Sequence, residues 1–357
     1  INVNETKKII EVNLGENHMY VKKIFIPEHG LNNKYQAGEK ILGDMSYNIP
    51  IISIYGENLK PNPSDLENLD ALIFDIQDIG SRYYTYVSTL TKIMSVCSEL
   101  GLPLYVLDKP NPIGGDVFGP ILDLKYASFV GMHPIPIRHG MTIGELAFMI
   151  NELGWVGKNK VDLHIVTMQG WNPEMYFENT GKHWVMPSPN IPDNKTAFIY
   201  QGACLIEGTN LSEGRGTDSP FTFIGAPWLD SKELLERLNI LGLEGVTFSD
   251  IVFTPRFIPG KSIFPKYKDK KCYGIKVNIT DRELSSPLII TANIIDIVSK
   301  LHPDHFKFNP DNFFDKLYGS NKFRKLILSG GDITKIFKDW ENDESKFKEI
   351  RQPFLIY

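Results

Sequence analysis

The sequence predicts an α/β protein built on a mainly parallel sheet, and three segments carry that prediction. Each is a short apolar run that stops abruptly in polar residues. Ile24-Phe25-Ile26 runs into Pro27-Glu28-His29-Gly30, residues 71–74 (ALIF) into Asp75-Ile76-Gln77-Asp78-Ile79-Gly80, and residues 104–107 (LYVL) into Asp108-Lys109-Pro110-Asn111. Continuous apolar runs of this length suit strands buried on both faces of a parallel sheet. Ligands of open α/β sheets bind just beyond the carboxyl ends of such strands. Glu28, His29, Asp75, Gln77, Asp78, Asp108 and Asn111 are therefore expected along one rim.

The other elements follow in chain order. Residues 1–12 (INVNETKKIIEV) read as the start of an amphipathic helix capped by Asn4, with a first strand expected before the given chain. Residues 49–55 read as a further strand. Residues 85–101 show helical spacing through Val87, Leu90, Ile93, Met94 and Cys97 and end at Gly101, a residue suited to the left-handed turn after a helix. Residues 142–153 read as a helix opened by Thr142 and Glu145 at capping-box spacing, which accounts for Glu145 without a catalytic role. A strand at 163–168 precedes a loop at 170–194 rich in Pro, Trp and Asn, and residues 198–206 lead into EGTNLSEGRGT at 207–217.

After Pro227-Trp228 the composition shifts toward Lys and Phe and loses its clustered Gly and carboxylates. A strand at 275–280 and helices at 287–301, 323–329 and 332–348 indicate a smaller C-terminal α+β unit. The expected division is 1–227 and 228–357. No internal repeats or low-complexity tracts are visible.

Composition narrows the function classes. With 357 residues, 42% hydrophobic and 23% charged, the chain can bury a large core. A formal net charge of −5 gives no reason to expect a nucleic acid or an anionic membrane as partner. Cys97, Cys204 and Cys272 are distant from one another, which excludes a disulfide framework and shows no metal-ligand spacing, while one disulfide plus a free thiol stays open. No apolar stretch is long enough to span a bilayer.

The densest polar motif is residues 207–217, with Glu207, Asn210, Glu213 and Arg215 among three glycines. Glycines let a backbone approach a ligand closely, and a carboxylate–guanidinium pair fixes orientation; a polar turn network reads equally well. Tyr84 follows Arg82 in the second rim segment, and His139 and Asn190 sit in further polar stretches. His29 and His139 raise a metal site, but no HxH or HExxH spacing exists, so no metal is expected. Gly114-Gly115 lacks the spacing of a dinucleotide fingerprint, and no cofactor is expected. Trp171, Trp184 and Trp228 suit either sugar stacking or the core.

Taken together, PEHG at 27–30, FDIQDIGSRYYTY at 74–86, LDKPNPIGG at 107–115, HGMTIGELA at 139–147, PSPNIP at 187–192 and EGTNLSEGRGT at 207–217 resemble the exo-β-N-acetylmuramidase family of the NamZ or YbbC type, formerly a domain of unknown function. Residues 225–228 (GAPW), 256–259 (RFIP) and the terminal 351–357 (RQPFLIY) extend the resemblance over essentially the whole chain. The resemblance implies a Rossmann-like catalytic domain with a smaller C-terminal domain. It also implies a periplasmic or extracellular glycoside hydrolase that releases N-acetylmuramic acid from the non-reducing ends of peptidoglycan fragments. Where the family commonly carries an acid before Gly-Pro, this chain has Phe118-Gly119-Pro120.

Glycoside hydrolysis needs a proton donor and a second carboxylate as base or nucleophile. Glu28 is the expected donor, at a strand end between the rigid Pro27 and His29. Glu207 or Glu213, whichever Arg215 leaves unpaired, is the expected partner. The substrate-binding set is His29, Asp75, Gln77, Asp78, Arg82, Tyr84, Asp108, Asn111, His139, Asn190, Asn210 and Arg215. Arg82 and Arg215 are candidates for the lactyl carboxylate, because a guanidinium matches a carboxylate bidentately. The alternatives are a metal- or phosphate-dependent hydrolase at the same rim and a non-catalytic muropeptide-binding protein.

Overall fold

The computed structural model of the chain describes residues 20–30, 49–56 and 58–357. The helix expected at residues 1–12, with its Asn4 cap, lies outside the described residues. Strands β1 (Ile24–Ile26) and β2 (Ile51–Ser53) pair in parallel, Ile24 opposite Ile51. Strands β3 (Leu72–Phe74), β4 (Leu104–Leu107) and β5 (Leu163–Val166) form a second parallel sheet in sequence order. The three polar-ended strands thus fall in two parallel sheets.

Helices α1 (Tyr86–Leu100) and α2 (Ile143–Glu152) close one face of the second sheet. Leu90 and Met94 of α1 and Leu146 and Ile150 of α2 share a buried cluster with Leu72, Phe74, Leu104 and Val106. Each such side chain contributes about 1.5–3 kcal/mol by leaving water. Gly101 ends α1 at φ 65°, and Thr142 and Glu145 close a reciprocal capping box on α2. The expectation of strands buried on both faces is corrected here. Ile73 is 50% exposed and Tyr105 37%, and the Tyr105 ring stacks on the His164 ring at 4.5 Å. Alternate residues face outward because, among the described residues, helices cover one side.

Helix α3 (Asn194–Ala203) leads into the 207–217 motif, after which β6 (Phe223–Ala226), β8 (Cys272–Ile279) and β7 (Val246–Phe253) form an antiparallel sheet in that order. β6 precedes residue 228 and pairs with β8 beyond it. Helices α4 (Ser231–Ile240), α5 (Pro287–Leu301), α6 (Phe313–Tyr318), α7 (Lys322–Leu328) and α8 (Thr334–Arg351) complete the chain. One continuous core runs across the expected division, joining Tyr83, Tyr84 and Ile137 to Ile224, Ile275, Ile294 and Trp340. The three cysteines are free and buried. Among the described residues, no helix is long and apolar enough to cross a membrane.

The C-terminal segment straps the two parts together. Phe347 of α8 is buried in the core beneath the β3–β5 sheet. Asp343 and Glu344 accept the backbone N–H groups of Ile121 and Gly119 at 3.0 and 3.1 Å, and Arg351 donates to the carbonyls of His139 and Gly140. Phe118 packs edge-on against Trp340 at 5.8 Å and so supports this strap.

Arg82 is the deepest cation of the joint, 2% exposed. Nη1 donates to Pro120 O and Ile135 O, and Nη2 to Leu317 O and Tyr318 O, all at 2.7–2.8 Å. The guanidinium therefore joins the rim loops to the end of α6. Burial lowers its pKa to about 10, with opposing pulls from Tyr83, Tyr318 and Asp343, so it stays charged at neutral pH. Removing it leaves buried carbonyls unpaired at about 1–3 kcal/mol each. Arg82→Met is therefore expected to lose at least about 3 kcal/mol in denaturant unfolding. A variant as stable as wild type, with an altered sugar preference, would return Arg82 to the binding site.

Candidate active site

The turn after β1 delivers Glu28 into the protein. Gly30 N–H closes the turn on Pro27 O at 3.2 Å. His29 takes the left-handed conformation, φ 74°, that residues other than glycine rarely adopt, and such strain concentrates at functional sites. Glu28 and His29 are both buried. Glu28 Oε2 accepts a hydrogen bond from Thr85 Oγ1 at 2.6 Å. The next residue, Tyr86, opens α1; its hydroxyl lies 3.4 Å from Glu28 O and donates to Pro187 O at 2.8 Å. The PSPN segment is thereby fixed beside Glu28.

Asp78 and His139 meet at the end of β3. Asp78 Oδ2 accepts from Gly80 N at 2.7 Å and lies 4.0 Å from His139 Nε2. Burial raises the Asp78 pKa from 3.8 to about 7, against lowering by the Gly80 and Ile79 N–H groups. Burial also lowers His139 to about 3, helped by Arg351, Arg82 and Arg138. His139 is therefore neutral. Its Nδ1 accepts Met141 N–H at 3.2 Å, which places the ring proton on Nε2. Among the described residues, Asp78 Oδ1 and His139 Nε2 have no hydrogen-bond partner, although both are buried. Buried polar atoms are almost always satisfied, and a hydroxyl or water that accepts from Nε2–H and bonds the carboxyl group would satisfy both.

Glu28 and Asp78 belong to one neighbourhood. The Tyr84 and Tyr86 phenols, edge-on at 5.0 Å, are both raised, first by burial and then by the charges of Glu28 and Asp78 among their neighbours. Tyr84 also meets Tyr200 edge-on at 5.9 Å.

Beyond Tyr200 lies the second charged group. Tyr200 packs against Phe221 at 4.8 Å, and Arg215 lies over the Phe221 ring at 5.1 Å. Arg215 Nη2 pairs with Glu207 Oε1 at 3.0 Å, and Arg215 Nε reaches Glu213 Oε1 at 3.6 Å. Lys266 Nζ adds a contact to Glu213 Oε2 at 3.1 Å. Burial pushes the Glu213 carboxyl up, but Lys266 and Arg215 outweigh it and hold it below its usual range. Burial likewise disfavours the Arg215 charge, and Glu207 and Glu213 more than restore it. The expected partner, a glutamate that Arg215 leaves unpaired, does not exist: Arg215 engages both. Arg215 is equally committed and is not left to hold a lactyl carboxylate. Asn210 bonds His305 O and Lys307 N–H, which crosslinks this motif to the C-terminal part.

Several other rim candidates serve the fold. Arg82 is spent on four carbonyls and is no ligand clamp. Asp108 accepts from Lys109 N, Gly144 N, Thr142 Oγ1 and Tyr357 OH, which fills both oxygens. Asn111 donates to Met141 O and accepts Ile113 N–H, and Gln77 donates to Asp78 O and Pro110 O. Asp75 pairs with Lys109 at 2.5 Å. Asn190 donates to Lys261 O at 2.8 Å, while its buried Oδ1 has no partner among the described residues. Trp184 Nε1 donates to Ile191 O and Trp228 Nε1 to Tyr267 OH, so both rings are held in place. Thr85, Tyr86, Tyr200 and Lys266 were not singled out from sequence. The first two stand inside the FDIQDIGSRYYTY motif, whereas nothing local marks Lys266.

Comparison with known proteins settles the family. Two models describing the N-terminal and C-terminal parts of exo-β-N-acetylmuramidase NamZ match residues 2–195 and 198–357. The chain belongs to the NamZ exo-β-N-acetylmuramidase family. It is 42% identical over 337 residues to the peptidoglycan β-N-acetylmuramidase NamZ of Bacillus subtilis, covering 94% of this chain and 79% of that protein. Two crystal structures of DUF1343 family proteins from Bacteroides fragilis share the fold. One has a TM-score of 0.87 at 31% identity, covering 98% of this chain and 89% of that one. The other has a TM-score of 0.76 at 34% identity, covering 97% and 88%.

The charge cluster makes a direct prediction for this family member. Arg215→Met strands two carboxylates beside Lys266 alone, and breaking a buried ion pair from one side costs about 3–5 kcal/mol. Calorimetric unfolding should show a loss of that order at neutral pH. A stability change under about 1 kcal/mol would mean that the cluster is solvated and free to bind ligand.

Proposed function

We propose that this chain is a glycosidase releasing N-acetylmuramic acid from the non-reducing ends of peptidoglycan fragments, with Glu28 and Asp78 as its working carboxyl groups. Membership of the family and identity to the Bacillus subtilis enzyme support the activity and its substrate class. The observation that carries the residue assignment is the buried Asp78–His139 pair, with one unsatisfied polar atom on each side. A peptidoglycan substrate also suits work in the periplasm or outside the cell.

Glycosidases need two carboxyls whose environments push their proton affinities apart. Burial gives Asp78 a proton it keeps up to about pH 7, so Asp78 suits the donor that protonates the leaving oxygen. That moves the role from Glu28, the donor expected from sequence. Glu28, oriented by the Thr85 hydroxyl, takes the role of base or nucleophile. His139 stays neutral and offers Nε2–H to a sugar hydroxyl or an ordered water.

The sign of the pH dependence follows. Asp78 is raised in the folded protein, so the native state binds more protons than the unfolded chain between pH 3.8 and about 7. The stability it contributes is full below that window and is lost as pH rises through about 7. Activity should lose its acidic donor over the same upper limb.

Two variants separate the roles. Asp78→Asn is expected to reduce turnover of a muropeptide by roughly two to four orders of magnitude and to spare an activated aryl β-N-acetylmuraminide, whose leaving group needs little protonation. Glu28→Gln should lower turnover of both substrates together. The assignment fails if Asp78→Asn keeps wild-type turnover of the muropeptide, or if the alkaline limb near pH 7 persists in that variant.

A further inference from the structure

The chain carries a formal net charge of −5, yet residues 256–271 hold Arg256, Lys261, Lys266, Lys268, Lys270 and Lys271 against one carboxylate, Asp269. The same segment leaves two phenyl rings in solvent, Phe264 at 86% exposure and Phe257 at 48%. Lys268 Nζ sits 5.5 Å over the Phe257 ring. A single exposed apolar side chain is ordinary. Two rings in a cationic belt beside a candidate active site are a different matter.

The segment is held against the site at several points. Ile258 and Ser262 form a β-bridge that turns the chain. Lys261 O accepts from Asn190 Nδ2 at 2.8 Å, and Asn190 belongs to the PSPN segment whose Pro187 carbonyl holds Tyr86 beside Glu28. Lys266 Nζ contacts Glu213 and donates to Ile206 O and Leu211 O. Arg256 N donates to Gly216 O at 2.8 Å. A Cβ on Gly216 would come within 2.6 Å of Arg256 O, so glycine is what allows the two segments to touch. Phe264 therefore projects from a short stretch anchored on both sides, at Lys261 and at Lys266.

Resting on the glycosidase reading above, we propose that residues 256–271 form the leaving-group side of the site. The exposed faces of Phe257 and Phe264 take the apolar face of the sugar that follows the terminal N-acetylmuramic acid. The lysines other than Lys266, which is committed to Glu213, take the carboxylates of the same glycan strand. A peptidoglycan fragment has both features, because its amino sugars carry C–H-rich faces and its lactyl and peptide substituents carry carboxylates. Aromatic rings supply such contact area with few rotatable bonds, and cations steer a polyanionic ligand.

The test compares two substrates on Phe264→Ala and on the double variant Phe257→Ala/Phe264→Ala. An aryl β-N-acetylmuraminide has no second sugar to place on the lip and acts as the internal reference. KM for a muropeptide oligosaccharide should rise about tenfold, while kcat/KM for the aryl substrate stays within about twofold. An unchanged oligosaccharide KM, or an equal loss on both substrates, overturns the proposal. Calorimetric binding of the oligosaccharide to Glu28→Gln protein, with and without Phe264→Ala, needs no turnover. Weaker binding with Phe264→Ala supports the lip even if the wild type hydrolyses neither substrate, in which case the glycosidase reading alone falls. Unchanged binding, or a preference for anionic phospholipid vesicles over the oligosaccharide, removes the lip.

Discussion

A single buried guanidinium sets the geometry on which the candidate site depends. Arg82 lies where the rim loops of the parallel-sheet part meet the end of α6, and it donates to four carbonyls from three separate segments. Only a planar fork with five donors reaches so many acceptors from one point; a lysine ammonium has three donors and no fixed plane. Gly319, at φ 93°, lets α6 end against the guanidinium, since a Cβ there would fall 2.8 Å from Nη2. The segment on either side of Arg82 carries Asp78, Tyr84, Thr85 and Tyr86, so fixing Arg82 fixes what Glu28 faces.

Much of the fold was legible because its signals are local. Gly101, the Thr142–Glu145 box and the Pro287 start each mark a helix end by their own chemistry, and the structure ends or starts those helices there. Strands β6 and β7 and helices α4 and α6 were not anticipated. In β7 only Val246 and Phe253 are buried, so its alternation is diluted by exposed Thr, Ser and Asp. α6 is six residues long, shorter than any periodicity can register. Sheet membership was equally hidden, since the partner of a strand is a property of the whole chain.

The site was legible by residue type but not by grouping. Sequence brings Glu28 and Asp78 to strand ends, and the structure sets them in one neighbourhood. It could not show that Arg215 spans Glu207 and Glu213, nor that Lys266 completes the cluster from more than fifty residues away in sequence. Carboxylates that accept from Thr142, Gly144, Lys109 and Tyr357 look the same in sequence as those that bind a ligand, and Asp108 is the example. What separates the two kinds is satisfaction. A filled carboxylate such as Asp108 holds the fold, whereas buried Asp78 keeps one oxygen without a hydrogen-bond partner among the described residues, as does the neighbouring His139 Nε2. Tyr84 and Tyr200 sit between the two charged groups, which keeps the ion cluster apart from the pair assigned to chemistry.

The assignment of Asp78 and His139 turns on what meets their two unpartnered atoms. The most direct measurement is a crystal structure of Glu28→Gln protein soaked with a muropeptide oligosaccharide. On this assignment the terminal N-acetylmuramic acid lies beside residue 28, with an oxygen of the substrate or an ordered water within hydrogen-bond reach of both Asp78 and His139 Nε2. A sugar seated instead against Glu207, Glu213 and Arg215, with the Asp78–His139 space dry, would contradict it.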